Sequence, residues 1–178
     1  MKNRTVILIL GLVLTLALLR TSMILAQEDS LSNHDKEFIM NAASGNMLEV
    51  KLGKVAEKQA SSEKVKKFGQ HMVTNHSKAN QELTEIAQKE NFNPPTEMDK
   101  KDQDTYDRLS KLKGHNFDRE YMRDMVSDHK GDIAAFEKES KEGKNANVKQ
   151  FAEKTIPTLK EHLHMAEEIH AEVESQTK

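Results

Sequence analysis

Cysteine is absent from all 178 residues of this chain. Its absence excludes disulfides, thiolate metal sites, a cysteine nucleophile and a lipid-modified cysteine anchor, whatever the compartment. Tryptophan is missing too, and tyrosine occurs only twice, which limits large aromatic ligand pockets. With three prolines, seven glycines and 31% charged residues, helix is favoured over strand, and an all-α protein is expected. No glycine-rich phosphate loop follows a strand pattern, no Gly-x-Ser-x-Gly elbow occurs, and no basic stripe is interleaved with aromatics. Nucleotide and hydrolase readings therefore lack support, and no residue is assigned a catalytic role.

A long apolar run is found only near the start. Lys2 and Arg4 precede apolar residues from Val6 to Leu19, and Ile24-Leu25-Ala26 suits a cleavage site. Residues 1–26 read as a secretory signal peptide, the 14-residue run being short for a membrane span of about 20. Retention as an uncleaved anchor, by continuation past Arg20, is the alternative. Export to the periplasm or cell envelope is expected, with envelope or membrane association. Loss of Lys2, Arg4 and Arg20 takes the formal charge from −2 to −5, so nucleic acid is not an expected partner.

The remainder divides into a polar tether at 27–33, a helical bundle over 34–174 and a tail at 175–178. Ser32 or Asn33 can cap a first helix reaching about Ala60, and Ser61 or Ser62 restarts the chain. A second helix, about 63 to 90, stops before Asn93-Pro94-Pro95. The crossover that follows carries a short polar helix from about Glu97 to Leu112, capped by Thr96 and ended by Gly114. Two further long helices are expected at about Phe117–Lys141 and Ala146–Glu174. Local echoes, MVTNH at 72–76 with MVSDH at 125–129 and VKKF at 65–68 with VKQF at 148–151, suggest a duplicated two-helix unit.

Each long helix has an apolar seam, and each seam is broken once by a metal-ligand residue. The first reads Phe38, Ala42, Gly45, Glu49, Leu52 and Ala56. In the second, His76 stands between Gly69 and Leu83, beside Met72 and Ala79. The third is Met122, Val126, His129, Ile133 and Phe136, and the fourth includes Phe151, Leu159, His162, Ala166 and Val173. Residues three and four apart share a helix face, so all four interruptions point inward. With 1.5 Å rise per residue, Glu49 and His76 lie roughly 18 to 21 Å from their shared turn. His129 and His162 lie roughly 21 to 27 Å from theirs, which permits one common layer.

Three neutral imidazoles and a carboxylate make a mixed nitrogen and oxygen set suited to a mononuclear zinc, copper, iron or nickel site. Asn75, Asp128 and Glu161, each preceding a histidine, are candidates to orient the ligands. The competing reading is a metal-free bundle with a structural His/Glu network, acting as an envelope stress or interaction protein. His34, His115 and His170 are expected at the surface. His71 and His164 are weaker ligand candidates, and the methionines are read as packing. Pro157 is expected to kink the fourth helix.

The segments AASGNMLEVKLGKVA (42–56), HMVTNHSKANQEL (71–83), YMRDMVSDHKGDIAAFE (121–137) and PTLKEHLHMAEEIH (157–170) resemble a ferritin-like domain-of-unknown-function family of exported bacterial proteins, often labelled outer membrane protein. The resemblance spans about residues 35–170. It implies a ferritin-like four-helix bundle with a long crossover and implies export, but no reaction. The chain departs from di-iron proteins, whose bundles carry two Glu-x-x-His pairs: Val73, Val126 and Leu159 stand three residues before the histidines. Helical, charged segments also do not suit a transmembrane β-barrel.

Overall fold

A computed structural model describes residues 30–175 and shows five helices: α1 (Asn33–Gln59), α2 (Glu63–Lys89), α3 (Lys100–Leu109), α4 (Gly114–Glu142) and α5 (Ala146–Ser175). The expected signal peptide, residues 27–29 of the expected tether and residues 176–178 of the expected tail lie outside the described residues. Four long helices form the bundle. The hairpins α1–α2 and α4–α5 are the closely packed pairs, and α3 lies across α1 and α4. Among the described residues, no helix is long and apolar enough to cross a membrane.

Local chemistry explains where each helix starts. Ser32 caps α1 through a reciprocal box: its Oγ accepts from the Asp35 amide at 3.2 Å, and Asp35 Oδ2 accepts from the Ser32 amide at 2.7 Å. Asp35 has a second task, since its Oδ1 accepts from the Lys144 amide at 2.8 Å in the α4–α5 turn. Asp118 near the start of α4 mirrors it. Its carboxylate takes the amides of Ser61 and Ser62 at 3.1 and 2.9 Å in the α1–α2 turn. Each hairpin thus ties down the other's turn by a fully buried aspartate, a device in keeping with the two-unit division.

The crossover differs in detail from the sequence expectation. Asp99, not Thr96, caps α3, its carboxylate accepting from the Asp102 amide at 2.8 Å. Gly114 does not end α3, which stops at Leu109; it begins α4 with φ of +59°. That left-handed conformation suits glycine and moves the start of α4 ahead of the expected Phe117. Ser44 of α1 anchors the short helix, because its Oγ accepts from the Asp99 amide at 2.8 Å and donates to Asp102 Oδ2. Pro157 is accommodated inside α5, which continues to Ser175.

The apolar interior is divided in two. One cluster, including Leu52, Phe68, Met72, Tyr121 and Met122, fills the half towards the α1–α2 turn. The other, including Phe38, Leu83, Phe136, Phe151 and Leu159, fills the opposite half. Between them lies a layer of buried polar side chains.

Candidate metal centre

That layer holds Glu49 from α1, His76 from α2, His129 from α4 and His162 from α5, all at most 4% exposed. Close helix approach places the first two. A Cβ on Gly53 would lie 2.5 Å from the carbonyl oxygen of Gly69, and one on Gly69 would lie 2.8 Å from that of Gly53. The two glycines bring the α1 and α2 backbones together near the polar layer. Glu49 Oε2 is then 2.6 Å from His76 Nδ1. Across the bundle, Glu49 Oε1 is 3.4 Å from His129 Nε2, which is 3.3 Å from His162 Nδ1. The three imidazole centroids are 5.3 to 5.8 Å apart.

The outward contacts determine which nitrogen is free in His76 and His129 and narrow His162 to two cases. A neutral imidazole has one N–H donor and one lone pair. His129 Nδ1 is 3.0 Å from the Met125 carbonyl, which only accepts, so Nδ1 carries the proton and Nε2 the lone pair. His76 Nδ1 faces Asn46 Oδ1 at 2.9 Å, leaving its buried Nε2 without a hydrogen-bond partner. His162 Nε2 meets the Asn75 amide at 2.8 Å. If the amide nitrogen donates, Nδ1 of His162 must carry a proton and can donate to His129. If instead the amide oxygen accepts from Nε2, two lone pairs face each other at 3.3 Å, and a cation bound to both would relieve that contact.

Burial sets the charge states. The His76 pKa is lowered to about 4 by burial. Burial also takes His162 down to about 3, helped by the His76 and His129 charges, and holds His129 below the usual histidine range. Neutral rings are the ligand-competent form. Glu49 moves the other way, to about 8, because burial disfavours its anion. A bound cation would favour that anion and release its proton.

One nitrogen from each of His76, His129 and His162 can be chosen so that all lie within 4.8 Å of one another. Metal–ligand bonds of ~2.0–2.1 Å in a tetrahedron put neighbouring donors about 3.3 Å apart. The His129–His162 and Glu49–His129 separations, 3.3 and 3.4 Å, have that size. The buried His/Glu cluster is therefore capable of coordinating a metal ion.

A second grouping joins Glu49 to Asp128 and Asp132, again with one donor atom each within 4.8 Å. Sequence reasoning missed Asp132 and gave Asp128 only an orienting part. Their signal was the Asp-x-x-x-Asp spacing, one helical turn apart on the flank of the α4 seam. Both half-buried aspartates line a cavity of about 720 Å³ between α1, α3 and α4. Asn75 does contact an imidazole, that of His162 on another helix, whereas Glu161 is exposed. His71, His115 and His164 are also exposed, and half-buried His34 lies 3.0 Å from Glu139 Oε2. Met72, Met122 and Met125 are core residues.

Comparison with known proteins supports the fold and leaves the chemistry open. A family described as Domain of unknown function (DUF4142) matches residues 21–169. The crystal structure of a DUF305 fragment from Deinococcus radiodurans superposes with a TM-score of 0.71 and 11% sequence identity. The match covers 80% of this chain and 99% of that one. At that identity the likeness is one of fold. Comparison with curated proteins gives no match.

Proposed function

This chain belongs to the DUF4142 family, and we propose that it is an exported helical-bundle protein that binds a transition-metal ion through His76, His129 and His162, with Glu49 as the oxygen donor. Storage, buffering or redox protection are the roles such a site serves. The observation that carries the reading is His76 Nε2, a lone pair buried without a partner beside two further imidazoles. Leaving such a group unsatisfied costs about 1 to 3 kcal/mol, and a cation removes that cost for all the rings together. The outward contacts, to Asn46 Oδ1, the Met125 carbonyl and Asn75, are those that orient metal-ligating histidines. The donor set suits zinc, copper, iron or nickel. Export rests on the charged, apolar start of the sequence.

A metal-free structural network is the second reading, favoured by the 3.3 Å His129–His162 contact, which one proton can bridge. Titration separates the two. Protein stripped with a chelator is loaded with zinc, copper, iron or nickel, and its melting temperature is followed. Metal binding requires a rise reversed by chelator, lost in His129→Ala and His162→Ala and kept in His34→Ala. No binding and no shift with any of the four ions would leave the metal-free bundle as the reading.

A further inference from the structure

The carboxylate face of Glu49 has a chemistry distinct from its imidazole face. Asp128 and Asp132 project from successive turns of α4 into the cavity wall, and each offers an oxygen within 4.8 Å of the other and of Glu49. Three carboxylates so close need protons or a cation between them. Among the described residues, no side chain donates a hydrogen bond to Asp128 or Asp132, and Lys101, on the wall of the same cavity, attracts both carboxylates without closing an ion pair with either. Glu49 supplies an independent sign. It is 1% exposed, and neither oxygen accepts a hydrogen bond. His76 Nδ1, its nearest neighbour, has its hydrogen-bonded partner in Asn46.

We propose that Glu49, Asp128 and Asp132 form a second cation site, one that takes a hard divalent ion such as Mn2+ through oxygen donors alone, with Glu49 shared between this site and the imidazole centre. Oxygen-only coordination selects such ions over those preferring imidazole. Three carboxylates leave further coordination positions to water, for which the adjoining cavity has room. That cavity is also the route in. Gly45 and Gly131 line it, and a Cβ on either would meet nothing within 4 Å, so the walls beside the aspartates stand apart. The site does not require the imidazole centre to hold a metal.

Mn2+ titration of the chelator-stripped full chain, read by loss of the free-ion paramagnetic resonance signal, tests this site directly. Wild type is expected to bind one Mn2+ per chain. Asp132→Asn and Asp128→Asn should each weaken binding at least tenfold, while His162→Ala retains it. Asp132→Asn should still show the zinc-dependent melting shift if the imidazole reading is right. Loss of that shift in wild type alongside intact Mn2+ binding would remove the imidazole reading and leave this one standing. Absence of Mn2+ binding, or equal binding by wild type and both asparagine variants, would overturn the second site. Metal-free Asp132→Asn should melt no lower than wild type, because it removes a repelling carboxylate; a lower value would mark Asp132 as a structural partner and also overturn the proposal.

Discussion

Helix α1 makes two unlike seams. Against α2 the backbones nearly touch, and at Gly53 and Gly69 there is no room for a Cβ. Against α4 the chain leaves a cavity of about 720 Å³, and Cβ atoms at Gly45 and Gly131 would meet nothing within 4 Å. Glycine thus serves opposite ends at the two seams, close approach in one and open space in the other. Glu49 stands where they meet. Its contact with His76 depends on the tight seam, and its proximity to Asp128 and Asp132 faces the open one. The comparison teaches that one buried carboxylate can belong to a dry, nitrogen-rich side and a solvent-reachable, oxygen-rich side at once.

Removing an imidazole should break the dry side most completely. With metal at 1,000 times its Kd, ligand linkage is worth about 4 kcal/mol; His129→Ala should forfeit that stabilisation, as measured by melting with and without metal. Closing the tight seam is expected to come next. Gly53→Ala places a methyl against the Gly69 carbonyl and the Val73 side chain, so denaturant unfolding should show a loss on the order of 1 to 3 kcal/mol.

Acid and base should act on the two kinds of group in opposite directions. His76 and His162 have folded pKa values of about 4 and 3, below the usual 6.5. The unfolded chain therefore binds more protons over that range, and stability should fall as pH drops below about 6.5. Glu49 has a folded pKa of about 8 against 4.5. Here the folded state holds the proton, so its contribution declines as pH rises from 4.5 through about 8. Denaturant unfolding of metal-free protein across this range should show both arms, and Glu49→Gln should flatten the alkaline one. The smallest effect is expected at the open seam. Gly131→Ala should stabilise the metal-free protein by up to ~1 kcal/mol, from helix propensity without a clash.

Helical periodicity made much of this arrangement legible. The seam positions of Glu49, His76, His129 and His162 could be read because a 3.6-residue repeat places them among apolar neighbours. The start of α1 was readable to within one residue, Ser32 or Asn33 being the candidates for the cap that Ser32 makes. Asp35 and Asp118 were hidden, since their partners are backbone amides in distant turns. Asp132 escaped because it flanks the seam, and its importance depends on the space left between α1 and α4. The crossover was misread at Gly114, where a glycine that commonly closes a helix here opens one. Gly53 and Gly69 carry no sequence mark that distinguishes close approach from the open surroundings of Gly45 and Gly131.

The central claim is that the buried imidazoles meet around an ion, and anomalous X-ray diffraction from crystals of zinc-loaded protein tests it most directly. The expected result is a zinc peak bonded at ~2.0–2.1 Å to Nε2 of His76, Nε2 of His129 and Nδ1 of His162, with Asn75 turned to accept from His162 Nε2–H. Zinc confined to the surface, with His129 and His162 still joined by a direct hydrogen bond, would contradict it.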